Sequence, residues 1–158
     1  MSDPHKRPNR IPWPPLVFVA AVALAIVAHV AYPLPWLGSP LSDILFAAGL
    51  LGLVAVVAID MAAMRALSRA NTTIMPNRAA EHLVTGGPFS FTRNPIYLAN
   101  ALLMIAVGLI AGIVWLVLFA IVAAYATQKL AIEREERHLQ ARFGKRYIDY
   151  AKRVRRWI

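Results

Sequence analysis

The chain has 158 residues, 59% hydrophobic and 16% charged, with a mean hydropathy of +0.55. That is too apolar for a soluble domain of this size, and it leaves room for about four spans of ~20 residues and no separate soluble domain. The absence of cysteine excludes disulfides and thiolate metal sites, and a net charge of +9 gathered beside apolar runs points to topology and anionic lipid rather than nucleic acid.

Lys6, Arg7 and Arg10 precede the first apolar run, and a span is expected over about residues 16–32, stopping at Pro33-Leu34-Pro35. No small-x-small cleavage site followed by a polar segment is evident, so this run reads as a retained helix rather than a signal peptide. His29 falls near its outer end. A second span is expected over about 41–64. Asp60 sits near its inner end, where an ion pair with Arg65 or another basic residue is the expected role. Ala47, Ala48, Gly49 and Gly52 on this helix permit close packing, within the chain or between two copies, so a homodimer is one expectation.

Residues 65–94 form a long polar connection broken by Pro76, Gly86, Gly87 and Pro88. A connection that long in a small membrane protein has a task or packs under the bundle. It is not a phosphate loop, because the Lys-Ser/Thr ending and a preceding strand are missing. Arg93-Asn94-Pro95-Ile96-Tyr97 then opens the next apolar run. Pro95 suits a first helical turn, and the free N–H groups there favour an anion. Taken alone, Arg93 serves equally well as an interface anchor.

The run from Ile96 to about Leu130 would exceed ~50 Å as one helix, against a hydrocarbon core of ~30 Å. It must turn, and Gly108–Gly112 is the place. Spans are therefore expected over about 95–111 and 113–130. Residues 131–158 read as helix, supported by Glu133/Arg137 at i,i+4 and broken at Gly144. Beyond it, Tyr147, Tyr150, Val154 and Trp157 recur every three or four residues, as in a helix lying on the membrane surface.

All 17 Lys and Arg fall in three regions: three in residues 6–10, four in 65–93 and ten from Lys129 onward. Four spans put these regions on one side, which the positive-inside rule makes cytoplasmic. Trp13 and Trp157 then suit the inner interface, and Trp36 and Trp115 the outer. The expected fold is an all-α integral membrane protein. It is a single domain over 1–158 with four transmembrane helices, the last two forming a hairpin, followed by a cytoplasmic amphipathic helix. Both termini are cytoplasmic, in a bacterial inner membrane.

Acidic residues number eight, and Glu133, Glu135 and Glu136 are three of them. If the last two spans double back, these carboxylates meet Arg93 at the cytoplasmic face. The alternative is a solvated helix face balancing Arg134 and Arg137. Glu135 and His138 form Glu-x-x-His, half of a di-iron motif. No second copy exists, and His5, His29 and His82 lack ligand spacing, so no metal is expected.

The string Leu83-Val84-Thr85-Gly86-Gly87-Pro88-Phe89-Ser90-Phe91-Thr92-Arg93-Asn94-Pro95-Ile96-Tyr97-Leu98 resembles a signature of the isoprenylcysteine carboxyl methyltransferase and phospholipid methyltransferase superfamily. So does Glu135-Glu136-x-x-Leu139-x-x-x-Phe143-Gly144-x-x-Tyr147-x-x-Tyr150. The resemblance covers about residues 71–158, in the same order and with an apolar hairpin between the motifs. It implies a membrane methyltransferase using S-adenosylmethionine, held at the cytoplasmic face, with a lipophilic small-molecule or lipid acceptor arriving from the bilayer. It further implies Leu83, Val84, Gly87, Arg93, Asn94, Tyr97, Glu135 and Glu136 around the cofactor, with Arg93, Glu135 and Glu136 as the catalytic set. Many members of that superfamily have His where this chain has Asn94. Asn cannot titrate, so a positioning role is expected there instead of a general base. The C-terminal pattern also resembles NADPH-dependent sterol and steroid reductases, which have more spans. A non-enzymatic lipid-binding or scaffolding protein is the third alternative.

Overall fold

The computed structural model describes residues 13–70 and 82–158, and among these the regular structure is helical throughout. Lys6, Arg7, Arg10 and Pro76 lie outside the described residues. Helix α1 (Trp13–Ala31) carries Pro14 and Pro15 in its first turn, where a missing N–H breaks no helical bond. It therefore starts earlier than the apolar run suggests. Helix α2 (Leu41–Arg69) runs past Met64, because Arg65-Ala66-Leu67 are strong helix formers and no breaker intervenes.

Helix α3 (Pro95–Ala111) and helix α4 (Val114–Thr127) form the hairpin. Gly112 makes the reversal at φ +68°, a left-handed conformation that glycine takes without steric penalty. A Cβ there would also lie 3.2 Å from the Trp36 ring. Trp115 donates its indole N–H to the Tyr32 carbonyl at 2.7 Å. The Tyr32–Pro40 linker and the α3–α4 turn thus sit at one end of the bundle.

From Thr127 the chain passes through a π-helical turn (Gln128–Ile132) into helix α5 (Glu133–Phe143). Together they form a rod of 30 residues, Val114–Phe143. At 1.5 Å per residue it is about 45 Å long, so its polar end projects beyond a hydrocarbon core of about 30 Å. Gly144 ends α5, and helix α6 (Lys145–Arg153) follows.

Helix α2 packs along α3, and α1 along α4. At the first seam a Cβ on Gly49 would come within 2.7 Å of Ile110 and 2.9 Å of the Ala106 carbonyl. Gly49 and Gly52 therefore serve packing within the chain, while Ala47 and Ala48 face outward. At the other seam Ala21, Ala25, Ala120 and Ala123 sit in a core cluster with Phe18, Met104 and Leu116. Small side chains let backbones approach where lipid supplies no hydrophobic drive between helices. Large apolar residues such as Val19, Val30, Leu51 and Val54 are exposed, as a lipid-facing surface requires. Three helices are long and apolar enough to cross a membrane: α1, α2 and the Val114–Phe143 rod. Helix α3, with 17 residues, is shorter and equally apolar.

Two expectations need correction. Asp60 makes no ion pair among the described residues, and its Oδ1 is buried without a partner. Because α2 stays helical through Arg69, Arg65 lies five residues on, about 140° around the helix, and cannot face it. The second correction concerns α6. Its apolar side is not laid on a membrane surface: Tyr147, Tyr150 and Val154 are buried against Leu83, Leu139 and Phe143 of the chain itself.

Candidate functional site

The site forms where the α3 entry, the end of the rod and residues 154–158 converge. Gly87, at φ +61°, opens a 3-10 turn (Gly87–Ser90) that brings the chain under α2 beside Ala66. The Tyr150 hydroxyl donates to the Phe89 carbonyl at 2.7 Å, which pins this turn to α6. Just after it, the Arg93 N–H donates to the Arg155 carbonyl at 3.0 Å. The Thr92 hydroxyl and the Asn94 amide both donate to the Arg156 carbonyl, at 3.2 and 3.0 Å. Thr92 is fully buried, and its oxygen also accepts from the Asn94 N–H. The Trp157 indole donates to the Gln128 side chain at 2.9 Å, within the π-helical turn. Single π turns are frequent at functional sites because they re-aim side chains locally.

This backbone frame holds a charge cluster. Arg93 Nη1 lies 3.1 Å from Glu136 Oε1 and donates to the Tyr147 hydroxyl at 3.2 Å. Arg156 grips the same carboxylate with two parallel bonds, Nε to Oε1 at 3.0 Å and Nη2 to Oε2 at 2.7 Å. Such bidentate pairs are strong and directional. The side chains of Arg93 and Glu136 are only 15% and 16% exposed, so solvent screens the pair weakly. Glu133 pairs with Lys129 on the preceding turn at 2.7 Å and lies 3.9 Å from Arg156. Its expected partner Arg137 makes no ion pair among the described residues. A hydrogen bond to Glu136 raises the pKa of Arg156, and burial pushes the Tyr147 phenol up, so Tyr147 stays a neutral hydroxyl.

A cavity of about 500 Å³ opens on this cluster. Its less exposed wall is Arg93, Glu136, Tyr147 and Arg156, and its exposed rim includes Arg137, Gln140, Ile148 and Lys152. That size suits a small-molecule ligand.

Of the eight anticipated binding residues, Arg93 and Glu136 line the cavity. Tyr97 and Glu135 form a separate pair, the hydroxyl donating to Oε1 at 2.8 Å. Asn94 holds the Arg156 carbonyl, a positioning contact. Leu83 packs under α6, Val84 is half-buried, and Gly87 shapes the turn. The sequence reading missed Arg156, Tyr147, Gln128 and Trp157. Arg156 is one of ten basic residues after Thr127 and had no distinguishing mark. The three-and-four spacing of Tyr147 and Tyr150 was visible, but a periodic face does not say what it packs against.

The sequence pattern of the phospholipid methyltransferase family matches residues 44–146. This chain belongs to that family, a class of membrane proteins named for methyl transfer to phospholipid. The nickel-cobalt-cadmium resistance protein NccN of Alcaligenes xylosoxydans xylosoxydans is 32% identical over 143 residues, covering 90% of this chain. The chain spans 60% of the length of that relative. No solved structure matches.

Proposed function

We propose that this chain transfers a methyl group from S-adenosylmethionine to a lipophilic acceptor at the cytoplasmic membrane face. The observation that carries the reading is the cavity in which Arg93, Glu136 and Arg156, from three separate segments, converge. The residues present fit the cofactor. The Arg93 guanidinium lines the cavity and suits the cofactor's carboxylate, and its Nε has no hydrogen-bond partner among the described residues, so the protein does not saturate it. Glu136 can accept from an ammonium or from ribose hydroxyls. Bound there, S-adenosylmethionine supplies a sulfonium methyl with a good leaving group.

The chain's own residues then have mainly positioning to do. Arg93 and Glu136 fix orientation, Arg156 holds the Glu136 carboxylate in place, and the buried Tyr147 hydroxyl limits rotation of Arg93. Alignment of this kind can lower a barrier by about 7–11 kcal/mol. No proton relay is needed at Asn94, consistent with its amide. The Tyr97–Glu135 pair joins the first turn of α3 to α5 and keeps the hairpin foot closed.

The topology proposed with this reading has four spans, α3 included, with residues 6–10, 65–93 and 129–158 on the cytoplasmic side. Support comes from the basic residues and from the clustering of both uncharged turns at the opposite end.

The test is calorimetric titration of purified protein with S-adenosylhomocysteine, alongside incubation of labelled methyl donor with total lipid extract. Wild type binds and labels a lipid product. Arg93→Ala binds at least about tenfold more weakly, as expected for a lost charged hydrogen bond, and keeps its fold because Glu136 retains both bonds to Arg156 and the Arg93 backbone bond remains. Absence of binding by wild type ends the proposal.

A further inference from the structure

Residues 154–158 are held differently from the helices beside them. Helices α5 and α6 carry their own hydrogen-bond ladders, whereas Val154 turns extended at φ −117°, ψ 128° and no helix follows it. Among the described residues, no backbone N–H of 155–158 donates to a backbone carbonyl. The segment is instead fastened from outside. Its Arg155 and Arg156 carbonyls accept from the Arg93 N–H, the Thr92 hydroxyl and the Asn94 amide. Its Arg156 and Trp157 side chains reach Glu136 and Gln128 on the other side. It thus bridges the α3 entry and the end of the rod, and Arg156 lines the cavity on the way. Val154, buried with Tyr147 and Tyr150, anchors the near end. A segment without internal bonds, whose N–H groups are left to solvent, belongs to the low end of local stability.

The cavity and this segment also share groups. Glu136 is both a cavity wall and the carboxylate that grips Arg156. Arg93 lines the cavity with its side chain and holds the Arg155 carbonyl with its N–H. Arg156 belongs to the wall only while the segment is docked. A ligand that touches all three binds the docked form better, and so shifts the population toward it.

We propose that residues 154–158 form a strap that opens as a unit, independently of the bundle, and closes over the ligand in the Arg93–Glu136 cavity. Arg156 is then a ligand-contacting side chain present only in the closed form. The strap takes its ligand from the methyl-transfer reading, but its opening does not depend on that reading.

The Arg93 N–H reports the strap, because its acceptor is the Arg155 carbonyl. Amide hydrogen exchange is measured there by NMR on the full chain in nanodiscs. The Ile113 N–H, bonded to the Gly108 carbonyl at the opposite end, is the reference. Trp157→Phe removes the bond to Gln128 and should speed exchange at Arg93 about fivefold, the contribution of one hydrogen bond. Trp115→Phe removes an indole bond of the same kind at the opposite end and should leave Arg93 unchanged. Equal acceleration by both variants would mean that Arg93 exchanges only when the whole bundle opens. No acceleration by Trp157→Phe would mean that the segment does not open as a unit. Either result overturns the strap. S-adenosylhomocysteine at about 100 times its Kd should slow exchange at Arg93 about a hundredfold and leave Ile113 unchanged, as for a ligand confined to the closed form. Bound S-adenosylhomocysteine with unchanged exchange at Arg93, or with equal slowing at Ile113, overturns closure over the ligand. Failure of wild type to bind S-adenosylhomocysteine removes the methyl-transfer reading, and the ligand-free comparison of the two tryptophan variants then decides the strap by itself.

Discussion

The two ends of the bundle are built by different physics. At the end that holds the Tyr32–Pro40 linker and the α3–α4 turn, positions are set by steric fit: Gly112 in a left-handed conformation against Trp36, and the Trp115 indole on the Tyr32 carbonyl. No Lys or Arg occurs in either connection, and the partners are small or aromatic. At the polar end, position is set by charge and by backbone hydrogen bonds between residues far apart in sequence. Asn94 reaches Arg156, and Arg93 reaches both Glu136 and Tyr147. One end closes the scaffold; the other carries a surplus of hydrogen-bonding and ionic capacity that a ligand can use.

The comparison makes graded predictions. Glu136→Gln should have the largest effect, because it leaves Arg93 and Arg156 facing each other with no carboxylate between them. Removing one partner of a mostly buried ion pair costs about 3 kcal/mol. Thermal unfolding in detergent should show that loss, and S-adenosylhomocysteine affinity should fall with it. A variant that lost stability alone would break the assignment of the polar end to binding.

Gly49→Ala comes next. Its new methyl would collide with Ile110 and the Ala106 carbonyl, an overpacking worth about 2 kcal/mol. Here the melting temperature should drop while the affinity of the folded fraction stays at the wild-type value. Equal damage to affinity would mean that the α2–α3 seam and the site are coupled.

Trp157→Phe removes the bond to Gln128 and should cost about 1 kcal/mol. Because residue 157 adjoins Arg156, a modest fall in affinity should accompany the loss of stability, readable in the same titration. Lys129→Ala should do least. Its ion pair with Glu133 is exposed, and pairs of that kind contribute little. A melting temperature indistinguishable from wild type is expected, and a clear drop would show that Glu133 matters to the cluster.

Much of the architecture was legible before any coordinates. Helix α3 was bounded from Pro95 at its start and the glycine turn at its end, and the break at Gly144 from glycine's local chemistry. The approach of Arg93 to the Glu133–Glu136 cluster followed from chain length against bilayer thickness, which forces the last apolar run to double back. The pairing of Asp60 with Arg65 was misread because the end of α2 was placed too early, and a helix boundary decides which residues share a face. The apolar face of α6 was read as lipid-facing because amphipathicity is the same whether the partner is a membrane or the chain's own loop.

Sequence by itself determined the apolar helices, their turns and the end at which charge collects. Those depend on local conformational preference and on solvation, and both are written residue by residue. Only the tertiary structure decided that Glu136 rather than Glu135 faces the cavity, and that Arg156 shares it with Arg93. Neighbouring carboxylates on a helix point about 100° apart, and which one meets a guanidinium depends on how the rod, α6 and residues 154–158 dock against one another.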